Sequence, residues 1–564
     1  MITMADNPER ARSHKSVVIV GGVAGGMSTA TRLRRLDADA DIVVLERSGH
    51  VSFANCGLPY FVGGLIGEEE NLTLQTPEQL FDRFRLDVRV HDEVVAIDRG
   101  RHTVTTRSTL DGEESLVSYD KLVLSMGAAP VRPPIPGYDR VRTLRTVEDA
   151  ARLASDVDFA PASAVVIGAG FIGLEMTENL VLRGVGVTLV EAAPQVLPPL
   201  DPELAILVQD ELVAHGVAVE TGATVSSIAD RTVTLADGRV LAADLVVGAI
   251  GVRPDVRLAE LAGLKLGPNG GIAVNGANQT NDPDIYAVGD AVEKPDAVSH
   301  ATSLIALANV ANRQGRRVAD HIAGRPSHAV ASLGTAIVKV FDLEAAAVGW
   351  NERRLKAASR TFRAIHSHPF DHATYYPGAQ RMAAKLIFAP EDGTILGAQI
   401  VGRHGVDKRI DVIATAMAAN MTALRLADLE LAYAPPFSSA KDPVNLLGYM
   451  AENVLAGDCD VVDPRELGSL VQRGWTLLDV RTEAEHAAGA IAGSINVPID
   501  SLRDHLDALG KGPVVVYCEV GQRGHTATAL LHELGIEARN LDGGYQTWSA
   551  FMRTEAASTA APFP

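Results

Sequence analysis

Short apolar runs that break at glycines or end in an acid, followed by mixed polar stretches, recur along the chain. From Ser16, SVVIVGGVAGGMSTATRLRRL reads as a strand, a Gly-rich turn and a helix, and the next apolar run, ADIVVLE, ends in Glu46. From Ser163, SAVVIGAGFIGLEMTENL repeats the pattern, and GVTLVE closes it at Glu191. From LGTAIVKVFDLEAAAVG to NLLGYMAENVLAG strands and helices alternate without a Gly-rich turn of that kind. ENVLAGDCD then reads as a short linker. Beyond it WTLLDVRTEAEHAAGAIAGSINVPI, GPVVVYCEVGQRGHTATALLHELG and LDGGYQTW alternate strand, loop and helix in a small unit of their own. This order predicts α/β architecture in several layers. No run approaches the ~18 apolar residues that a membrane helix needs.

The two Gly-rich turns carry the first chemistry. Small residues let a backbone approach a pyrophosphate at a helix N-terminus, and an acid at the end of the next strand takes ribose hydroxyls. The first turn, Gly21, Gly22, Val23, Ala24, Gly25 and Gly26, has Val23 at the usual second glycine, with Glu46 about 20–25 residues on. The second, Gly168, Gly170, Phe171, Ile172 and Gly173, keeps the full G-x-G-x-x-G register and leads to Glu191. Two such units, one per cofactor, predict a flavin exchanging electrons with a nicotinamide. Glu191 would repel a 2′-phosphate, so NADH is expected over NADPH, with NADPH not excluded.

Composition narrows the classes. A length of 564 residues predicts three to four domains. The net charge of −19 argues against a nucleic-acid or anionic-membrane partner. Three cysteines make neither a disulfide framework nor a metal site, so no metal is expected and a reducing, cytoplasmic setting is. The polar N-terminus MITMADNPERARSHK and the tail TEAASTAAPFP read as loose ends without a signal-peptide core.

With these units in place, KLVLSMGAAPVRPPIPG from Lys121, LVVGAIGVRPD from Leu245 and DIYAVGDA from Asp284 resemble segments of the two-dinucleotide flavoprotein disulfide reductases. The resemblance implies an FAD domain over residues 15–125 and 252–330, an NAD(P)H domain over 126–251, a dimerisation domain over 331–450 and a linker over 451–458. It places Arg47, Asn55, Cys56, Ser125, Gly127, Arg132, Gly251 and Asp290 at the flavin.

Most of these reductases carry two cysteines close together, whereas Cys56 stands alone, with Cys459 and Cys518 far downstream. A lone cysteine is most often a small buried hydrophobe. SFANCGLPY, however, resembles the single-cysteine branch, the coenzyme A disulfide reductases and their persulfide-reducing relatives. In that chemistry a thiolate attacks an external disulfide or persulfide, so the second sulfur arrives with the substrate. Ser28, Arg32 and Arg35 fall on one helix face. Such a face is ordinarily a solvated one, but in the coenzyme A-dependent relatives residues there grip the coenzyme A phosphates. Ser52 and Asn55 match the same substrate-binding set. Tyr375 and Tyr433 resemble the tyrosines that reach the partner subunit's cysteine site in this branch, which implies an obligate homodimer.

In the C-terminal unit the strand PVVVY runs into Cys518, a loop continues through Arg523, and a helix is expected from about His525. A thiolate at a strand end facing a helix N-terminus is stabilised by convergent N–H groups, and Arg523 adds positive charge. LLDVR, with Asp479 and Arg481, and LDGGYQTW complete a resemblance to the rhodanese, or sulfurtransferase, domain, expected over 459–556. Ala490 departs from the pattern where a histidine is usual, and Cys459 fits no motif. The whole chain is identified as a member of the coenzyme A disulfide reductase–rhodanese fusions. That implies NAD(P)H-dependent reduction of coenzyme A persulfide, polysulfide or coenzyme A disulfide, with a sulfane-sulfur donor serving Cys518. Two rivals stay open: an NADH oxidase or peroxidase that cycles Cys56 through sulfenic acid, and a persulfide carrier or redox sensor without turnover.

Overall fold

The computed structural model describes residues 15–510 and 512–560; all but Lys15 of the polar leader, and residues 561–564, lie outside the described residues. Four sheets of four or five strands organise the chain. In the first, Ile285–Ala287, Lys121–Leu124, Ser16–Val20, Asp41–Leu45 and Asp87–Arg89 run parallel in that order, so two separate stretches of sequence build it. Ser16–Val20 is apolar almost throughout because both faces of the sheet are covered, one by helices Ala24–Leu36 and Ala308–Ile322, the other mainly by the antiparallel strands Asp92–Asp98, Thr103–Ser108 and Glu114–Ser118: Val17, Val18 and Ile19 are fully buried. In the second, Ala218–Thr221, Gly186–Glu191, Ser163–Ile167 and Leu245–Gly248 repeat the parallel arrangement. The chain crosses between these sheets twice, and the crossings pair antiparallel at Ala128–Pro130 and Val252–Pro254.

The third sheet is antiparallel, in the order Ala336–Val340, Leu343–Gly349, Ile395–Gly402, Ala383–Phe388, Arg363–Ser367, with helices Val406–Ala418 and Pro443–Ala456 packed on it. The fourth is parallel: Val461–Val462, Ala538–Leu541, Val514–Tyr517, Thr476–Asp479, Ile495–Asn496.

Three expected boundaries move. Helix Pro443–Ala456 runs through the expected break at residue 450, because its face containing Leu447, Gly448 and Ala451 is buried on the third sheet. It stops at Gly457, whose φ of 79° is left-handed, so the connection before Val461 is shorter than 451–458 suggested. The expected loose tail is helical from Thr554 to Ala560, where helix Gly544–Ala560 continues, and its last four residues lie outside the described residues. The helix after Cys518 starts at Gln522, not near His525.

The fourth sheet's unit rests on the rest of the same chain. Helix Gly544–Ala560 packs along helix Pro202–Ala214, Arg553 pairs with Asp210 at 2.5 Å, and Arg465 pairs with Glu352 at 2.8 Å. Beneath them Lys385 is wholly buried, with its Nζ 2.8 Å from Asp201, 2.5 Å from Glu203 and 2.8 Å from Glu352. Burial alone would lower its pKa; the three carboxylates hold it above the usual lysine range. Three acids can converge here because the ammonium sits between them. Among the described residues no helix is long and apolar enough to cross a membrane.

Candidate active sites

The first Gly-rich turn joins Ser16–Val20 to helix Ala24–Leu36. Gly21 has φ 99°, and a Cβ there would meet the Ser125 carbonyl oxygen at 2.3 Å; a Cβ on Gly26 would meet the Gly21 carbonyl oxygen at 1.9 Å. These glycines are dictated by backbone packing that keeps the turn tight, and Val23 is tolerated because it sits at the N-cap. Glu46 closes the unit: its Oε2 accepts from Gly22 N–H at 2.8 Å and its Oε1 from Ser48 N–H at 2.9 Å. Asp290 lies on the 3₁₀ turn Gly289–Ala291, where burial pushes its carboxyl up, and among the described residues no hydrogen bond to that carboxyl is seen. A tight Gly turn, an acid at the end of the next strand and the half-buried Asp290 carboxyl fit FAD. Arg145, which the sequence reading missed, is largely buried there and donates Nη2 to Met126 O at 2.9 Å; burial lowers its pKa, as does neighbouring Arg47. Arg47 pairs with Asp255 at 3.3 Å. Gly127 and Gly251, at φ 70° and 100°, shape the two crossings, with exposed Arg132 just beyond the first.

Cys56 sits in the 3₁₀ turn Asn55–Gly57 and is exposed, as is Asn55. The segment before it is pinned to the first Gly turn: Ser52 N–H donates to Gly22 O at 2.8 Å, Leu74 N–H to Ser52 O at 2.9 Å, and Ser52 adopts a left-handed φ of 50°. Partial burial raises the Cys56 thiol pKa, and so do the charges of Glu175 and Asp290. Glu175 is the other neighbour the sequence reading missed. Burial pushes it up to about 7, and Tyr60 O–H donates to its Oε1 at 3.4 Å. Its signal was a charged residue inside the otherwise apolar FIGLEM.

The second Gly turn repeats the logic of the first. Gly168 has φ 102°, a Cβ on Gly173 would meet the Gly168 carbonyl oxygen at 1.8 Å, and Gly170, the N-cap of helix Phe171–Leu182, faces open space. Phe171 and Ile172 form the helix's first turn. Glu191 accepts from Ala169 N–H at 2.7 Å and from Ala193 N–H at 2.8 Å, which sets its carboxylate beside the turn.

On helix Ala24–Leu36, Ser28 donates to Asn312 Oδ1 at 2.7 Å and Arg32 pairs with Asp320 at 2.7 Å, both on the facing helix Ala308–Ile322. Arg35 lies over the Phe84 ring at 5.0 Å and is exposed. Of the two arginines, Arg32 therefore already has an anionic partner. Tyr375 and Tyr433, 58 residues apart, are brought together: their hydroxyls hydrogen-bond to each other. Both rings are exposed in the single chain, by 73% and 47%, which is far from the usual state of a structural tyrosine.

Cys518 ends the strand Val514–Tyr517 at the floor of its loop. Gly521, at φ 87°, turns the chain into helix Gln522–Glu533, so Arg523 lies in that helix's first turn. Arg523 is gripped by Glu485, Nη1 to Oε2 at 2.8 Å and Nη2 to Oε1 at 2.6 Å, which neutralises the positive charge expected from it. Behind the loop, buried Arg481 pairs with Asp479 at 2.9 Å and Glu519 at 3.1 Å. Cys459 is buried, and burial with the charges of Asp460, Asp542 and Asp458 pushes its thiol up to about 12. That shift disfavours the thiolate, the nucleophilic form.

Comparison with known proteins agrees with this geometry. Residues 15–315 match the pyridine nucleotide-disulphide oxidoreductase family, residues 335–443 its dimerisation domain, and residues 463–551 the rhodanese-like domain. A coenzyme A disulfide reductase of Staphylococcus haemolyticus is 34% identical over 442 residues, covering 78% of this chain and 100% of that protein. The crystal structure of reduced Bacillus anthracis CoADR-RHD is 46% identical with a TM-score of 0.94, covering 96% of this chain and 99% of that one. An NAD-dependent persulfide reductase from A. fulgidus is 38% identical with a TM-score of 0.89, covering 94% and 100%. The chain belongs to the pyridine nucleotide-disulphide oxidoreductase family, as a member that carries a rhodanese-like domain at its C-terminal end.

Proposed function

We propose that the chain reduces coenzyme A persulfide, polysulfide or coenzyme A disulfide with NADH through Cys56, and that Cys518 handles the sulfane sulfur that feeds this reaction. The observation that carries the reading is the solitary, exposed Cys56, unpaired with either other cysteine and set four residues after Ser52, whose N–H is bonded to Gly22 of the first Gly turn.

When bound, FAD would supply two-electron transfer between NADH and sulfur. Glu46, the 21–26 turn and Asp290 hold that cofactor; the 168–173 turn and Glu191 hold the nicotinamide dinucleotide, and Glu191 favours a free 2′-hydroxyl. Polysulfide enters after the Cys518 thiolate has taken its terminal sulfur, the shortened polysulfide leaving, and passed that sulfur to the thiol of coenzyme A to give the persulfide. With coenzyme A disulfide or coenzyme A persulfide, the Cys56 thiolate attacks the sulfur that bears coenzyme A, forming a Cys56–S–S–CoA bond as the substrate's own S–S bond breaks. The electron pair leaves with the departing thiolate, or with sulfide when the substrate is a persulfide. Two electrons then free the bound coenzyme A and regenerate the Cys56 thiolate. Burial, and after it the charges of Glu175 and Asp290, disfavour the Cys56 thiolate, so a positive charge brought near the sulfur would favour its ionisation. Glu175, with a pKa near 7 and beside the sulfur, is suited to hold the proton exchanged there.

Ser28, Arg35, Ser52 and Asn55 line the approach for the coenzyme A moiety, with Arg32 available to the extent that Asp320 releases it. Tyr375 and Tyr433 act as a hydroxyl pair on the partner's Cys56 site, so the homodimer is the working unit. The test is Cys56→Ser. The variant should keep bound FAD and its bleaching by NADH, and lose turnover of coenzyme A disulfide and persulfide. Substantial residual turnover would mean that the mixed disulfide is not an intermediate.

A further inference from the structure

Three guanidinium groups border the Cys518 loop, and two of them are neutralised. Arg481 is held by Asp479 and Glu519, and Arg523 by Glu485. The third, Arg381, comes from the dimerisation domain. It is exposed, donates Nη1 to His368 O at 2.7 Å and lies over the Phe370 ring at 4.2 Å; among the described residues no carboxylate lies within ion-pair distance of it. Its backbone is fixed by the Phe370–Arg381 bridge and by Met382 N–H donating to Pro369 O at 2.9 Å. His368 joins this strand end to the rhodanese unit through a 2.7 Å contact between its Nε2 and Thr547 Oγ1. Arg381 shares a cavity of about 520 Å³ with Glu519, Tyr545 and Gln546. That wall is the back of the Cys518 loop: Tyr545 N–H donates to Cys518 O at 2.8 Å and Gln546 N–H to Glu519 O at 3.0 Å. Partial burial lowers the pKa of Arg381, while the charges of Glu519 and Cys518 favour its charged form and that of Arg523 opposes it.

We propose that Arg381 is the anion-attracting residue of the sulfurtransferase site, lent to the Cys518 loop by the reductase part of the chain, and that it selects sulfane-sulfur donors bearing an anionic group. The inference rests on the reading of Cys518 as the sulfur acceptor. With thiosulfate as the donor, the Cys518 thiolate attacks the outer sulfur. A Cys518–S bond forms, the donor's S–S bond breaks, and its electron pair leaves with sulfite, so no outside oxidant or reductant is needed. Arg381 would attract the sulfonate end of the donor, since Arg481 is held by Asp479 and Glu519 and Arg523 is shared between Glu485 and the Cys518 sulfur.

The test uses the full-length holoenzyme and two alkylating reagents with the same electrophilic carbon, iodoacetate and iodoacetamide, with labelling of Cys518 followed by mass spectrometry of its peptide. Arg381→Ala should lower the iodoacetate rate relative to iodoacetamide, and raise the KM for thiosulfate, each by about tenfold, the scale of one lost charge-assisted contact. Arg381→Lys should recover most of both. Reduction of coenzyme A disulfide through Cys56 should be unchanged. A rate ratio or a thiosulfate KM that does not move overturns the proposal, even if absolute rates fall, because a purely structural role changes both reagents alike. If Cys518 prefers the anionic reagent through Arg381 but the wild-type chain transfers no sulfur, the anion subsite stands and the sulfurtransferase reading fails.

Discussion

His366 Nδ1 lies 2.6 Å from Asp542 Oδ2, and its Nε2 lies 2.9 Å from Glu203 Oε1, so one buried ring ties the dimerisation sheet, the rhodanese unit and the second dinucleotide unit together. Burial would lower the pKa of this histidine, but Asp542 and Glu203 raise it to about 9 despite Lys385 nearby. His368, two residues on, behaves oppositely: burial and the charges of His366 and Arg381 push it down to about 3, so it stays neutral.

The pH dependence follows from that contrast. A histidine whose folded pKa lies above its unfolded value of about 6.5 contributes its full stabilisation below that value and loses it as pH rises through about 9. The shift bounds the effect at about 3 kcal/mol. Anchoring of the C-terminal domain should therefore weaken between pH 6.5 and 9, read as faster proteolysis of the 457–460 connection and a lower Tm for that domain. Asp542→Asn should flatten the profile. A domain that resists cleavage equally at both pH values would show that this contact does not govern its attachment.

The tyrosine pair gives a prediction about the dimer. If Tyr375 and Tyr433 serve the partner's Cys56, a dimer made from one Cys56→Ser subunit and one Tyr375→Phe/Tyr433→Phe subunit contains one intact site. Refolding the two inactive variants together should then restore about a quarter of wild-type turnover by statistical pairing. Tyrosines acting on their own subunit's cysteine would restore none.

On the proposed coenzyme A face, Arg32 is held by Asp320, an ion pair that would compete with a phosphate. Asp320→Asn should free Arg32 and lower the KM for coenzyme A disulfide. Arg35→Ala should raise it by roughly tenfold, the scale of a lost charged hydrogen bond. The persulfide of glutathione, which lacks those phosphates, should respond to neither. Equal effects on both substrates would make this face structural.

What the sequence made legible was whatever is local. Gly21 with Glu46 and Gly168 with Glu191 are turns and strand ends within one βαβ unit, so spacing alone located them. Cys518 was legible for the same reason, as a strand end followed by a helix, although the helix start was misjudged by a few residues because Gly521 caps it earlier than expected. Arg145, Glu175 and Arg381 were not legible. Each acts where a different part of the fold brings it, and Arg381 lies outside any motif. The neutralisation of Arg32 by Asp320 and of Arg523 by Glu485 was hidden too, since the partners are distant in sequence and only packing shows which charges are already paired.

The relay between the two cysteines can be tested as separable stations. Cys518→Ser removes the nucleophile at the end of the strand Val514–Tyr517 and keeps the loop, because that backbone is held by Tyr545 N–H and by the Asn540 side chain donating to Gly521 O at 3.0 Å, not by the sulfur. Transfer of sulfur from thiosulfate should vanish. Reduction of preformed coenzyme A disulfide or persulfide should persist, because it needs only Cys56, FAD and NADH. Turnover of polysulfide, which must pass through Cys518 if the relay runs as proposed, should fall. Cys56→Ser should show the converse: sulfur transfer without consumption of NADH. Stopped-flow reduction and sulfide release, followed side by side in both variants, separate these outcomes. Loss of coenzyme A persulfide reduction in Cys518→Ser would mean that the sulfurs act in one joint step, and the sequential order from Cys518 to Cys56 would have to be abandoned.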